Sequence, residues 1–252
     1  MTNKIALITG GSRGLGKEMA LRLAQDGCDV VITYVSQKVA AGEVVEEIKR
    51  MGRQATALQF DANDIASINN FVSKFNEEVI SGWGVHKFDF LVNNAGMGAT
   101  IPFMESTEKD FDLFMNVHFK SVYFLTQKLL PLMNDNGRII NISSGTTKAS
   151  VPGYSLYTSM KGAVEVFSRG LAKELGPRGI RVNVVAPGPI ETDFNNGSNR
   201  DIPERKKFLA SRNALGRLGL AKDIGGVIAF LCSDDGGWIN GQRIEVSGGV
   251  NL

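Results

Sequence analysis

Cysteine, histidine and tryptophan are scarce in this chain, with two of each among 252 residues. Cys28 and Cys232 cannot build the disulfide framework of a small secreted scaffold, and both read as small apolar fillers. Neither His86 nor His118 is spaced with Cys, Asp or Glu in a metal-ligand pattern, so no metal site is expected. Long hydrophobic runs are missing as well. The stretch Ile5-Ala6-Leu7-Ile8 is far too short for a signal peptide or a membrane span. A large charge of one sign is also absent: 28 basic and 26 acidic residues leave a net +2, which gives no field suited to nucleic acid or an anionic membrane. These absences point to a cytoplasmic protein with neither nucleic acid nor membrane as a partner. The length suits one large domain that buries its core without staples.

What the chain does have is alternation. Short apolar runs at 4–9, 29–34, 55–59, 88–92, 138–143, 181–186 and 243–246 read as strands. Helix-period segments lie between them at 14–25, 39–51, 65–79, 111–133, 157–175 and 223–231. The strands are apolar almost throughout, as expected when both faces are buried. The pattern predicts an α/β fold: one doubly wound, parallel, seven-stranded sheet with helices on both faces, in a single domain over 1–252. Residues 190–217 break the alternation. They are polar and rich in Asn, and they read as a lid over a substrate.

Thr9-Gly10-Gly11-Ser12-Arg13-Gly14-Leu15-Gly16 joins the first strand to the first helix. Glycines allow a tight turn and a close backbone approach to a pyrophosphate, which the N–H groups and dipole of the following helix then face. Such a string is weak evidence alone, but the strand before it and the helix after it supply the context of a Rossmann-type dinucleotide site. An acidic residue at the end of the second strand would repel a 2′-phosphate, and this chain has Tyr34 there. Ser36 can donate a hydrogen bond, and Arg13 and Lys38 can supply positive charge, so the cofactor reads as NADP(H). The alternative is that Arg13 and Lys38 are solvated surface residues. Asp61 and Ala62 follow the third strand, in a place suited to the adenine edge. Asn93, Ala95 and Gly96 follow the fourth.

Tyr157 and Lys161 stand at i and i+4, on one face of a helix. A free tyrosine titrates near 10, and a nearby ammonium would favour its phenolate. Such a pair can give a proton to a carbonyl oxygen as hydride reaches the carbon, or run in reverse. Alone, the spacing also fits a surface helix pair. Ser144 ends a strand upstream, where its hydroxyl could steady charge on that oxygen. Asn116 lies inside a helix, where Asn is mildly unfavourable.

Together, residues 9–16 and 93–96, Asn116, Ser144, Tyr157, Lys161 and Pro187-Gly188 resemble a short-chain dehydrogenase/reductase over essentially the whole chain. The resemblance implies that Tyr157 is the acid/base and that Ser144 positions the substrate. Lys161 would bind the nicotinamide ribose and depress the Tyr157 pKa, and Asn116 would anchor a water relay to Lys161. Pro187, Gly188, Ile190 and Thr192 would border the nicotinamide. It also implies a homotetramer, with 111–133 and 157–175 as interface helices.

The expected partner is a small carbonyl or alcohol compound, shaped by the lid and by Met97, Ile101, Val151, Tyr154 and Phe194. The stretches 9–16 and 185–193 are similar to 3-oxoacyl-[acyl-carrier-protein] reductases. Their acidic carrier should meet a basic patch, yet residues 134–136 are Asn-Asp-Asn, with Arg169 and Lys173 as partial compensation. A non-catalytic NADP(H)-binding regulator would be expected to lose the Tyr or the Lys. Trp83 suits a surface or subunit contact, and Trp238 a core or interface position.

Overall fold

Strand β1 (Ile5–Ile8) explains why these strands are apolar on both faces. Its Ala6 and Ile8 enter one core cluster, while Ile5 and Leu7 enter another on the opposite side. The computed structural model describes residues 4–252. Its sheet adds β2 (Asp29–Tyr34), β3 (Ala55–Gln59), β4 (Phe88–Asn93), β5 (Met133–Ile142), β6 (Arg181–Pro187) and β7 (Arg243–Val246). All pairings are parallel, in the order β3-β2-β1-β4-β5-β6-β7.

Helices α1 (Gly14–Gln25) and α2 (Lys38–Arg50) cover one face. They set Met19, Leu23, Val44 and Ile48 against it. α3 (Ile68–Phe75) covers the other through Phe71 and Phe75. Burying each such side chain is worth about 1.5–3 kcal/mol. Since β1 lies between β2 and β4, the chain changes direction there, and the crevice at the strands' carboxyl ends is where an open sheet of this kind takes its ligand.

The helix expected over 111–133 is in fact built in pieces. α4 (Glu108–Met115) starts three residues earlier because Thr107 and Asp110 form a capping box. Thr107 Oγ1 accepts from the Asp110 N–H at 3.2 Å, and Asp110 accepts from the Thr107 N–H at 3.0 Å. A π-helical turn, Asn116–Lys120, carries the chain into α5 (Ser121–Leu129). A short 3-10 turn with Pro131 then ends the helix, and Met133 already belongs to β5. The helix expected over 65–79 is likewise a 3-10 turn, then α3, then a π turn ending at Ser81.

α6 (Ser155–Leu175) packs against β6. Between β6 and α9 (Ala221–Cys232) stand two short helices, α7 (Ser198–Asp201) and α8 (Pro203–Ser211). Trp83 is half-buried, with part of its ring against the α3-side core. Trp238 is 99% exposed, which corrects its core reading. Among the described residues, no helix is long and apolar enough to cross a membrane.

Candidate active site

The turn after β1 is tied to the end of β4. Thr9 Oγ1 accepts from the N–H groups of Asn94 and Ala95 at 2.9 and 3.0 Å, and Asn94 Nδ2 donates back to the Thr9 carbonyl at 2.8 Å. Gly10 has φ +68°, and a Cβ on Gly16 would stand 2.1 Å from the Gly10 carbonyl oxygen. No side chain fits there, so the backbone N–H groups at the start of α1 stay open to an anion. No acidic residue occupies that first turn.

A cavity of about 530 Å³ begins at this turn and continues to Tyr157 and Lys161. Arg13, Gly14, Leu15 and Gly96 line its first part, and Ser144, Pro187, Gly188, Ile190 and Thr192 its second. A Cβ on Gly14 would meet Thr192 at 3.7 Å, so the two parts face each other across a narrow slot. Ser12 is half-buried within the turn, and Ala95 backs Gly10. This shape and these open N–H groups fit an extended, phosphate-bearing ligand.

α6 carries the chemistry. Tyr157 and Lys161 are 7% and 5% exposed, on the buried face of that helix. Lys161 Nζ donates to the Ile142 carbonyl at 2.8 Å and lies 5.7 Å from the Tyr157 ring centre. Ser144 Oγ accepts from Thr146 Oγ1 at 3.0 Å. The segment holding Ser144 is braced from behind by Glu165. That carboxylate accepts from Ser143 Oγ at 2.6 Å, Thr147 Oγ1 at 2.8 Å and Arg243 Nε at 2.8 Å. Sequence offered no signal for this brace, because Glu165 and Arg243 meet only through the fold.

Burial dominates the titration of the pair. It pushes Tyr157 up to about 12, against the opposing hydrogen bond from Ser144. It pulls Lys161 down from 10.5 to about 8. The expected lowering of Tyr157 by Lys161 does not appear: the opposing effect comes from Ser144, and the Lys161 ammonium, itself pulled down by burial, is turned to the Ile142 carbonyl.

Three other expectations are corrected. The Asn116 side chain is taken up elsewhere: it is half-buried, and its Nδ2 donates to Asn63 Oδ1 at 3.3 Å. The apolar stripe of this helix runs through Phe114, His118, Val122, Leu125 and Leu129, and Asn116 lies off it. His118, at i+4 from Phe114, is the residue brought to the site, and that spacing was the signal available in the sequence. Asn93 is consumed in a buried network with Thr126 at 3.0 Å and Asn141 at 2.8 Å, and Asn94 takes its place beside the cavity. Ala62 packs into the core.

Tyr34 closes β2, and Ser36 and Lys38 beyond it are exposed. Asp61 borders a second, smaller hollow at the ends of β2 and β3, together with Val35, Asp64 and Lys74. Val151, Tyr154 and Phe194 line the main cavity as expected. Met97 and Ile101 instead pack in a small cluster with Phe114, Tyr157 and Met160.

A family model described as enoyl-(acyl carrier protein) reductase matches residues 10–251. The chain is 38% identical to a short-chain dehydrogenase/reductase of Pestalotiopsis microspora, covering 99% of this chain and 96% of that protein. Among solved structures it resembles a promiscuous reductase that catalyses keto-reduction at C1 during lugdunomycin biosynthesis, with TM-score 0.93, 38% identity, and 98% and 97% of the two chains covered. It also resembles an angucycline C-6 ketoreductase with bound NADP, with TM-score 0.94, 35% identity, and 100% and 96% covered.

Proposed function

The chain belongs to the short-chain dehydrogenase/reductase family of oxidoreductases, and on that premise we propose that it is an NADP(H)-dependent reductase of apolar, ring-bearing ketones. The observation that carries this reading is the convergence of Tyr157, Lys161 and Ser144 on the cavity that opens at the glycine-rich turn. The cofactor supplies the hydride. The turn and the α1 N-terminus hold its pyrophosphate, Arg13, Ser36 and Lys38 favour a 2′-phosphate, and Asp61 lies by the adenine edge. Pro187, Gly188, Ile190 and Thr192 border the nicotinamide. Lys161 holds the adjoining ribose.

Ser144 orients the substrate carbonyl and stabilises charge on its oxygen. Tyr157 Oη donates its proton to that oxygen in reduction and accepts one in oxidation. A Tyr157 that titrates near 12 is fully protonated at neutral pH, which suits the donor role. Residues 190–217 act as the lid, with Phe194, Phe208 and Leu209 giving the cavity an apolar wall. The ring-bearing substrate is supported by that wall and by the similarity to a keto-reductase of lugdunomycin biosynthesis and an angucycline C-6 ketoreductase. Exposed Phe111, Tyr123, Phe124 and Val166 on α4, α5 and α6 suit burial between copies in a homotetramer.

The test is loss of NADPH absorbance with a panel of cyclic aromatic ketones and acetoacetyl-carrier protein. Turnover of the ketones supports the reading, turnover of the carrier-bound substrate alone replaces it with a carrier-protein reductase, and no turnover of any carbonyl overturns it.

A further inference from the structure

The lid sets two arginines against the cavity and gives neither a counter-ion. Arg205, Phe208, Leu209 and Arg212 recur at helical spacing on α8 and its C-cap, and all of them line the cavity. They make one face of the lid, with a guanidinium at each end and apolar side chains between. Arg205 is half-buried, and its Nε donates to Asn199 Oδ1 on α7 at 2.8 Å. Arg212 is exposed but doubly tied. Its Nε donates to Asn251 Oδ1 at 2.7 Å, and its carbonyl accepts from the Asn251 N–H at 3.0 Å. Its guanidinium lies 5.7 Å from the Phe208 ring centre. Among the described residues, neither arginine forms an ion pair, and the terminal nitrogens of both have no hydrogen-bond partner.

The acids of the lid are committed to other cations. Asp193 lines the same cavity but pairs with Arg200, as does Asp201 at 2.6 Å. Glu191 pairs with Lys206 at 2.7 Å, and Asp223, just past the lid, holds Arg217 at 2.7 Å. Glu204 is exposed and lies outside the cavity lining. Carboxylates thus neutralise Arg200, Lys206 and Arg217, none of which lines the cavity, while the two lid arginines that do line it meet only amides. A neutral amide orients a guanidinium without cancelling its charge. Occupying Nε, it leaves the planar outer edge, which matches two oxygens of a carboxylate or phosphate. We propose that the lid recognises an anionic group on the substrate, a carboxylate or a phosphate, through Arg205 and Arg212. The ring system then lies against Phe208 and Leu209, with the ketone at Tyr157. This deepens the reductase reading and takes from it only the ketone end of the ligand. The cofactor's own phosphates are provided for at the glycine-rich turn and by Ser36 and Lys38, which leaves the lid pair to the substrate.

Binding is measured first, by calorimetry on the chain saturated with NADPH. The probes are 2-naphthoate, 2-naphthyl phosphate and the uncharged 2-naphthamide, none of which carries a reducible ketone. The better of the two anions is expected to bind at least about tenfold tighter than the amide, and it identifies the anion's chemistry. Arg205→Gln and Arg212→Gln should each shrink that advantage, and so should added salt. Equal affinity for all three probes, no binding of either anion, or an advantage that survives both substitutions overturns the proposal. A matching loss of NADPH affinity in the two variants also overturns it, by giving the arginines to the cofactor. Turnover is then compared for 6-acetyl-2-naphthoate and its methyl ester. The ratio of kcat/KM for acid over ester should fall in each variant, chiefly through KM for the acid. An equal decline for acid and ester would mean that the arginines only hold the lid in place, against the proposal. Failure of the chain to reduce any ketone would sink the reductase reading and leave the calorimetry to decide the anion site.

Discussion

Lys161 shows how a working site departs from what folding alone would choose. A lysine in a buried pocket, drawn down from 10.5 to about 8, binds fewer protons folded than unfolded between those pH values. Stability therefore rises with pH across that window as far as this group is concerned, and the ammonium is a burden below it. At about 1.4 kcal/mol per pKa unit the burden is roughly 3 kcal/mol, reduced by the bond to Ile142. The expected outcome is that Lys161→Met is relatively most favourable to stability at pH 7 and loses that advantage between pH 8 and 10. Urea unfolding at a series of pH values checks this, and a pH-independent difference contradicts it. Above pH 10 Tyr157 reverses the trend, since a folded pKa of about 12 makes the native state the better proton binder. Tyr157→Phe keeps the ring against His118 and Phe194 but removes the hydroxyl. Turnover should fall by at least about 10²-fold, with NADPH binding by fluorescence titration intact. Retained turnover would remove Tyr157 from the mechanism.

At the scale of elements, the α4–α5 rod decides which residue reaches the site. Its start is set by the Thr107–Asp110 box, so Thr107→Ala should cost about 1 kcal/mol, read as a lower urea midpoint with an unchanged slope. An unchanged midpoint would show that tertiary packing alone sets this end of the helix. The α1 N-terminus makes the second element-scale test. Arg13 is exposed at its N-cap and lines the cavity. Arg13→Ala should narrow the preference for NADPH over NADH by roughly tenfold, a 1.4 kcal/mol change. Comparing kcat/KM for the two cofactors measures it, and an unaltered ratio assigns selectivity to Ser36 and Lys38.

For the whole molecule, the apolar residues left uncovered are informative. Phe103, Met104, Phe111, Tyr123 and Phe124 lie on or beside α4 and α5, and Val166 joins them from α6. Rings of Phe119, Tyr123, Phe124 and Phe167 already stack among themselves at this surface. Light scattering is expected to report a tetramer. Charge substitutions at Tyr123 and Val166 should dissociate it, and a monomeric wild-type chain would refute this assignment of the face.

Alternating apolar runs and helix-period segments were enough to determine the seven strands, their parallel pairing and the turn at residues 9–16, because these follow from local periodicity and from glycine's conformational freedom. Tyr157 and Lys161 were legible for the same reason: four residues on a helix share a face whatever surrounds them. Asn116 was misplaced because the face of a helix that turns inward is chosen by what it packs against, and Phe114 and Leu125 drew His118 to the site instead. The tertiary structure alone brought Glu165 to Arg243 behind Ser144, across 78 residues of chain. It alone also decided the titration of the Tyr157–Lys161 pair. Spacing put two titratable groups within reach of each other, but their pKa values depend on how completely the assembled core excludes water.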